Sequence, residues 1–124
     1  MSSIPPCGPT DVRGVLAAHT TDTPCRTGCS AFLFPAGAQC AVFVPGSAPG
    51  TRELSTLQPG HLAREIHGLV FSGGSAFGLA TADGVMEYLA SEGIGKSVGK
   101  WVVPIVPTAI LFDRSVATLS LIHI

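Results

Sequence analysis

The most regular hydrophobic pattern in this chain is helical. Ala82, Val85, Met86 and Leu89 recur at helical spacing, while Asp83, Glu87 and Ser91 fall on the opposite side. One apolar stripe on a polar cylinder predicts a helix over about residues 75–92. Gly93 follows it, where a left-handed closing residue belongs. Gly78 and Gly84 inside the helix each cost about 1 kcal/mol relative to alanine, so both are expected to allow close packing on a sheet.

Short, nearly continuous apolar runs predict strands at residues 30–34 and 40–44. Pro35, Ala36, Gly37 and Ala38 between them carry turn chemistry, which predicts a hairpin buried on both faces. Leu69, Val70 and Phe71 form a third strand, broken by Ser72-Gly73-Gly74, and residues 102–106 a fourth. Residues 59–67 predict a short helix with Pro59 in its first turn. The loop at 45–51 holds two prolines and two glycines, which suit neither period. The first 28 residues, rich in Pro, Thr and Gly, read as irregular apart from an extended piece at 12–17. The mixture is of the α/β (α+β) class.

Composition changes the picture in one respect. Of 124 residues, 46% are hydrophobic and only 12% charged, against about a quarter charged in an ordinary soluble domain. A short chain buries a small share of its surface, so this apolar excess predicts an interface or an incomplete domain. The net charge of -1 points away from nucleic acid and anionic membranes as partners. The longest apolar stretch, residues 101–112, is too short for a membrane span and contains Pro104 and Pro107. Residues 1–6 lack the basic and apolar regions of a secretory leader, an expectation of cytoplasmic location. Of Cys7, Cys25, Cys29 and Cys40, the pair Cys25 and Cys29 has no second Cys/His pair at finger-like distance, so no metal is expected. Cys40 reads as a small strand hydrophobe and the other three as loop residues.

Candidate chemistry lies in the strand, glycine turn and helix start over residues 69–78. Backbone N–H groups at such a place can cradle a phosphate, carboxylate or oxyanion. Equally, the glycines can serve only a tight turn, and local sequence leaves both open. A dinucleotide fingerprint fails because position 75 is serine; a Walker loop fails because Leu79 and Ala80 follow Gly78. A nucleophile elbow around Ser75 has Gly73 but meets Phe77 where the second glycine belongs. After Ser75 only His123 could complete its triad. Arg52, in Gly50-Thr51-Arg52-Glu53, could hold a carboxylate, but pairing with Glu53 or solvent is the simpler expectation. His61 and His67 read as surface residues.

Taken in order, several segments resemble one family. They are Gly28-Cys29 leading to Leu33-Phe34-Pro35, Ala48-Pro49-Gly50-Thr51-Arg52-Glu53, and Ile66-His67-Gly68-Leu69-Val70. Ser72-Gly73-Gly74-Ser75-Ala76-Phe77-Gly78-Leu79, with Ala82-Asp83-Gly84-Val85-Met86, is the most specific stretch. Gly93-Ile94-Gly95, Val103-Pro104-Ile105-Val106-Pro107 and Phe112-Asp113 complete it. Together they are similar to the L-aminopeptidase/D-esterase family, which includes β-peptidyl aminopeptidases and nylon-oligomer hydrolases.

The resemblance implies a four-layer α-β-β-α sandwich, shared with ornithine acetyltransferases, of which this chain would be a fragment. It implies a precursor that cuts itself and exposes a serine or threonine at the amino terminus of a second subunit. That hydroxyl would release amino-terminal residues from peptides or amino-acid amides and esters, without a cofactor or metal. Its partners would be the substrate and the second subunit of the same precursor, assembled as a homo-oligomer of processed heterodimers. The nucleophile is then expected downstream of Ile124, and no catalytic residue within this chain. Gly73, Gly74, Ser75, Trp101 and Phe112 would line the substrate pocket. Many members carry a tyrosine near the oxyanion where Phe112 stands, and Pro45 replaces an often polar residue. The likeness covers about residues 11–113, so 1–113 reads as part of the first subunit and 114–124 as a tail unlike the family. Two rivals come from other classes: a phosphate- or nucleotide-binding module on Gly73–Gly78, and a small interaction protein.

Overall fold

Asp22 starts the sheet by closing a turn. Its Oδ1 accepts the Cys25 N–H at 2.9 Å, Arg26 donates its N–H to Thr23 O, and Arg26 takes φ 54°. The chain thereby reverses over four residues, and Asp22 pairs with Thr27. In this computed structural model, which describes residues 7–113, the strands are β1 (Leu16–Asp22), β2 (Thr27–Gln39), β3 (Thr51–Arg52) and β4 (Glu65–Ser72). After helix α1 (Thr81–Ser91) come β5 (Lys96–Val98), β6 (Trp101–Val103) and β7 (Thr108–Ile110). One sheet has the order β1-β2-β4-β7-β3, with β4 and β7 parallel and the other pairs antiparallel; β5 and β6 form a separate hairpin. The architecture is mixed α+β. The parallel pair requires a crossover, and α1 lies within it.

That helix covers part of one face of the sheet. Val70, Ala82, Leu89 and Val106 form the buried cluster, with Ala31, Leu33, Val85, Met86 and Ile94 packed around it. Gly68 lets α1 close on β4, since a Cβ there would lie 3.3 Å from Val85 and 3.4 Å from Leu89. The helix ends as its sequence predicts: Gly93 takes φ 70°, and Ile94 N–H returns to Leu89 O at 2.8 Å. Beside α1, however, a groove of about 380 Å3 is left open, with Leu16, Leu33, Val85 and Tyr88 along it.

Strand parity assigns the opposite face. If Val70, Ala31 and Leu33 point to α1, then Ala17, His19, Ser30, Phe32, Leu69 and Phe71 point away from it. Phe32 meets both His19 and Phe71 edge-on there, at centroid distances of 6.5 and 6.3 Å. None of these six side chains is buried, and Phe71 is 43% exposed.

Several expected elements differ. The hairpin of 30–34 with 40–44 does not form. β2 runs through Pro35 to Gln39, and 40–44 is irregular. Between Leu33 and Ala38 the chain takes five steps against two on β4, so three residues bulge out and absorb the Pro-Ala-Gly turn chemistry. Consequently Cys40 lies outside any strand while Cys29 lies within β2; all four thiols are free, and burial pushes that of Cys29 up. The first 28 residues contain β1 and the start of β2 rather than being irregular. Residues 59–67 are not a helix: turns lead into β4 at Glu65. The helix predicted over 75–92 divides into a 3-10 segment, Ser75–Ala80, and α1. Gly78 is in close contact as expected, whereas Gly84 faces open space.

The strand expected at 102–106 is also interrupted. Pro104 and Pro107 lack the N–H that a ladder needs, so β6 stops at Val103 and β7 begins at Thr108. The intervening residues are nonetheless buried, and side chains supply the missing partners. Val106 N–H donates to Glu53 Oε2 at 3.0 Å, and Ile105 N–H to His67 Nδ1 at 3.2 Å. His67 is therefore a buried acceptor and not a surface residue; burial lowers its pKa against the pull of Glu65 and Glu53. Arg52 pairs with Asp83 of α1 at 2.6 Å, rather than with Glu53, and also donates to Leu79 O at 3.4 Å. This exposed pair contributes about 0–1 kcal/mol but fixes the short edge strand β3 to the helix.

Candidate functional site

β4 delivers the glycine turn at its carboxyl end. Ser72 is buried in the sheet, Gly74 takes φ 85°, and Ser75 takes φ 58° as the chain enters the 3-10 segment. A left-handed serine is strained, so the surroundings must hold it. They do so through three successive backbone donors. Gly73 N–H goes to Gly28 O at 2.9 Å, Gly74 N–H to Asp113 Oδ1 at 2.8 Å, and Ser75 N–H to Leu111 O at 3.1 Å. Leu111 N–H in turn reaches Ser72 O at 2.8 Å.

Of the three N–H groups of the turn, those of Gly73 and Ser75 are taken by backbone carbonyls and only that of Gly74 meets an anion, which is a side chain of the protein. Asp113 Oδ2 also accepts the Thr27 hydroxyl at 2.7 Å. Burial alone would raise the Asp113 pKa. The hydrogen bonds from Thr27, Gly74 and its own backbone outweigh that and hold it below the ordinary carboxylate value. Gly73 is required sterically, because a Cβ there would overlap both Asp113 Oδ2 and Thr27 Oγ1.

Around this turn the site residues expected from sequence separate into two groups. Gly73 is buried, Gly74 and Ser75 are half-buried, and Phe112 lies next to Asp113 with 75% of its surface exposed. These four belong to one neighbourhood, joined through Leu111 and Asp113. Trp101 stands on the β5–β6 hairpin, paired with Val98 and 66% exposed, with Lys100 Nζ 5.1 Å from its ring centre. A depression of about 350 Å3 opens beside the turn on the face away from α1, lined by His19, Thr27, Ser30, Phe71 and Leu111 among others.

The strand, turn and helix order around Ser75, with its left-handed φ, suits an elbow; His123, the histidine that could complete a triad, lies outside the described residues, and two other histidines have partners of their own. His19 Nδ1 lies 2.8 Å from Ser30 Oγ, and His67 Nδ1 accepts from Ile105. Thr27 and Asp113 had no role assigned from sequence. Their pairing spans 86 residues, and only the closing of Phe112-Asp113 onto the turn reveals it.

The chain matches the family model described as Peptidase family S58 over residues 9–123. That range runs past Asp113 into positions outside the described residues. It is also 40% identical over 115 residues to a protein named as an uncharacterized aminopeptidase of Mycobacterium tuberculosis (strain H37Rv), covering 86% of this chain and 33% of that protein. A protein of the same descriptive name from Mycobacterium leprae is 38% identical over 115 residues, with 86% and 32% covered. The chain therefore spans about a third of the length of the curated relatives it matches.

Proposed function

Because the chain belongs to peptidase family S58, we propose that it is the amino-terminal portion of a self-processing hydrolase that releases amino-terminal residues from peptides or amino-acid amides and esters. The observation that carries this reading is the match over residues 9–123, most of the chain. The mycobacterial relatives, named as uncharacterized aminopeptidases, support its aminopeptidase part.

In this reading the nucleophile is a serine or threonine downstream of Ile124, freed by cleavage, and its own amine or a nearby group takes the proton. The open face of the five-stranded sheet, with Phe32, Leu69 and Phe71, packs on a second sheet supplied by the remaining two thirds of the protein. That gives the four layers α-β-β-α. The substrate then lies between the sheets at the carboxyl end of β4, beside Gly73, Gly74, Ser75 and Phe112. Phenylalanine at 112 shapes the pocket without donating a hydrogen bond, so other groups bind the oxyanion. Processed heterodimers associate further into a homo-oligomer.

Ser75 lines this pocket but does not attack. A fluorophosphonate probe applied to the full-length protein, followed by peptide mapping, separates the two roles. Label on the new amino-terminal residue of the second subunit is the expected result. Label on Ser75, abolished by Ser75→Ala, would replace this assignment with an elbow-type serine hydrolase.

A further inference from the structure

The Asp113 carboxylate joins three parts of the chain that are distant in sequence. It receives the hydroxyl of Thr27, where β2 begins, and the N–H of Gly74 in the turn, and it sits at the end of the segment leaving β7. Both of its oxygens are thereby engaged, one at 2.8 Å and one at 2.7 Å. Gly73 has no side chain where Thr27 and Asp113 meet, and a Cβ there would displace both of their polar atoms. The next residue, Ser75, holds φ 58°, a conformation serine does not favour unaided.

We propose that Asp113 is a positioning residue: its carboxylate serves as an internal anion that holds Gly74 and Ser75 in the geometry needed to line the substrate pocket. Thr27 orients that carboxylate. The role in substrate binding rests on the aminopeptidase reading, while the pinning of the turn does not. A carboxylate is the suitable group because a charged acceptor makes a stronger bond to a backbone N–H than a neutral one. A loosened turn would misplace pocket atoms by an ångström or so, which is enough to reduce rates by about a hundredfold.

The test uses the full-length protein with Asp113→Ala, Asp113→Asn, Thr27→Ser and Thr27→Val. It measures amide hydrogen exchange at Gly74 and Ser75 together with kcat and KM on aminoacyl p-nitroanilides. Asp113→Ala is expected to speed exchange at Gly74 at least tenfold and to lower kcat/KM by roughly ten- to a hundredfold. Asp113→Asn retains an acceptor for Gly74 but loses the charge, and its exchange should fall between wild type and Asp113→Ala. Added formate should restore part of both losses in Asp113→Ala by refilling the cradle, which a merely structural defect would not show. If Asp113→Ala does not fold, the Thr27 pair decides: Thr27→Ser should resemble wild type and Thr27→Val should not. Wild-type exchange at Gly74 in Asp113→Ala, or equal behaviour of the two Thr27 variants, overturns the proposal. If the wild-type protein hydrolyses none of these substrates, the aminopeptidase reading fails and the exchange results still decide the role of Asp113.

Discussion

Gly78→Ala is expected to destabilise the protein by about 3–5 kcal/mol, although alanine is the better helix former by about 1 kcal/mol. The reason is position. A Cβ on Gly78 would overlap the carbonyl oxygen of Gly73 and come within 3.0 Å of Ser72 Oγ. Backbone cannot swing aside as a flexible side chain does, so the 3-10 segment would have to lift away from β4. Such a shift also disturbs Thr81 Oγ1, which donates to Gly78 O at 2.8 Å at the start of α1. Gly84→Ala, six residues along the same helical run, is the control. Nothing lies within 4 Å of its added methyl group. It should be neutral or stabilise by up to about 1 kcal/mol. Denaturant melts of both variants in the full-length protein check the pair; equal effects would refute this packing of the turn.

The second large effect concerns the 124-residue chain expressed by itself, which is expected to associate or to melt without a cooperative transition. α1 covers only part of one sheet face. On the other, Ala17, Phe32 and Leu69 are only partly buried and Phe71 is exposed, and the groove along Leu16 and Leu33 is open as well. Fully burying a large apolar side chain contributes about 1.5–3 kcal/mol. Several left half-covered forfeit an amount comparable to the whole stability of a small domain, about 5–15 kcal/mol. The seven-residue strand β1 is moreover an edge, whose unpaired backbone groups invite other chains. Sedimentation and thermal unfolding measure both points. A soluble monomer with one sharp transition would mean that these faces need no partner and would favour a small interaction protein. Rescue by co-expression of the remaining part of the protein would support the shared sheets.

What could be read in the sequence divides by the range of the interactions involved. The stripe of α1 and the closing Gly93 depend on neighbours within a turn or two, and both stand as expected. Strand ends and pairings do not depend on local chemistry alone. Pro35 and Gly37 look like a hairpin turn, yet pairing with β4 draws the chain past them in a bulge. Asp22-Thr23-Pro24-Cys25-Arg26 looks irregular, yet its side-chain turn joins β1 to the longest strand in the sheet. His67 and Glu53 could not be assigned because their partners are backbone N–H groups freed by Pro104 and Pro107. At the site, the glycine turn was legible from Ser72 to Gly78, and its ordered likeness to one family pointed to the family to which the chain belongs. The acceptor that fills the turn was not, since Asp113 and Thr27 meet only after β2, β4 and β7 align.

The central claim is that this chain is the first part of a protein that generates its own nucleophile. Expressing the full-length gene product and determining intact masses and amino-terminal sequences tests it most directly. The account predicts two chains from one precursor, with residues 1–124 in the first and the second beginning with serine or threonine. Replacing that residue by alanine should leave a single uncut chain. A wild-type protein that stays as one chain while still releasing amino-terminal residues from peptides would contradict the account.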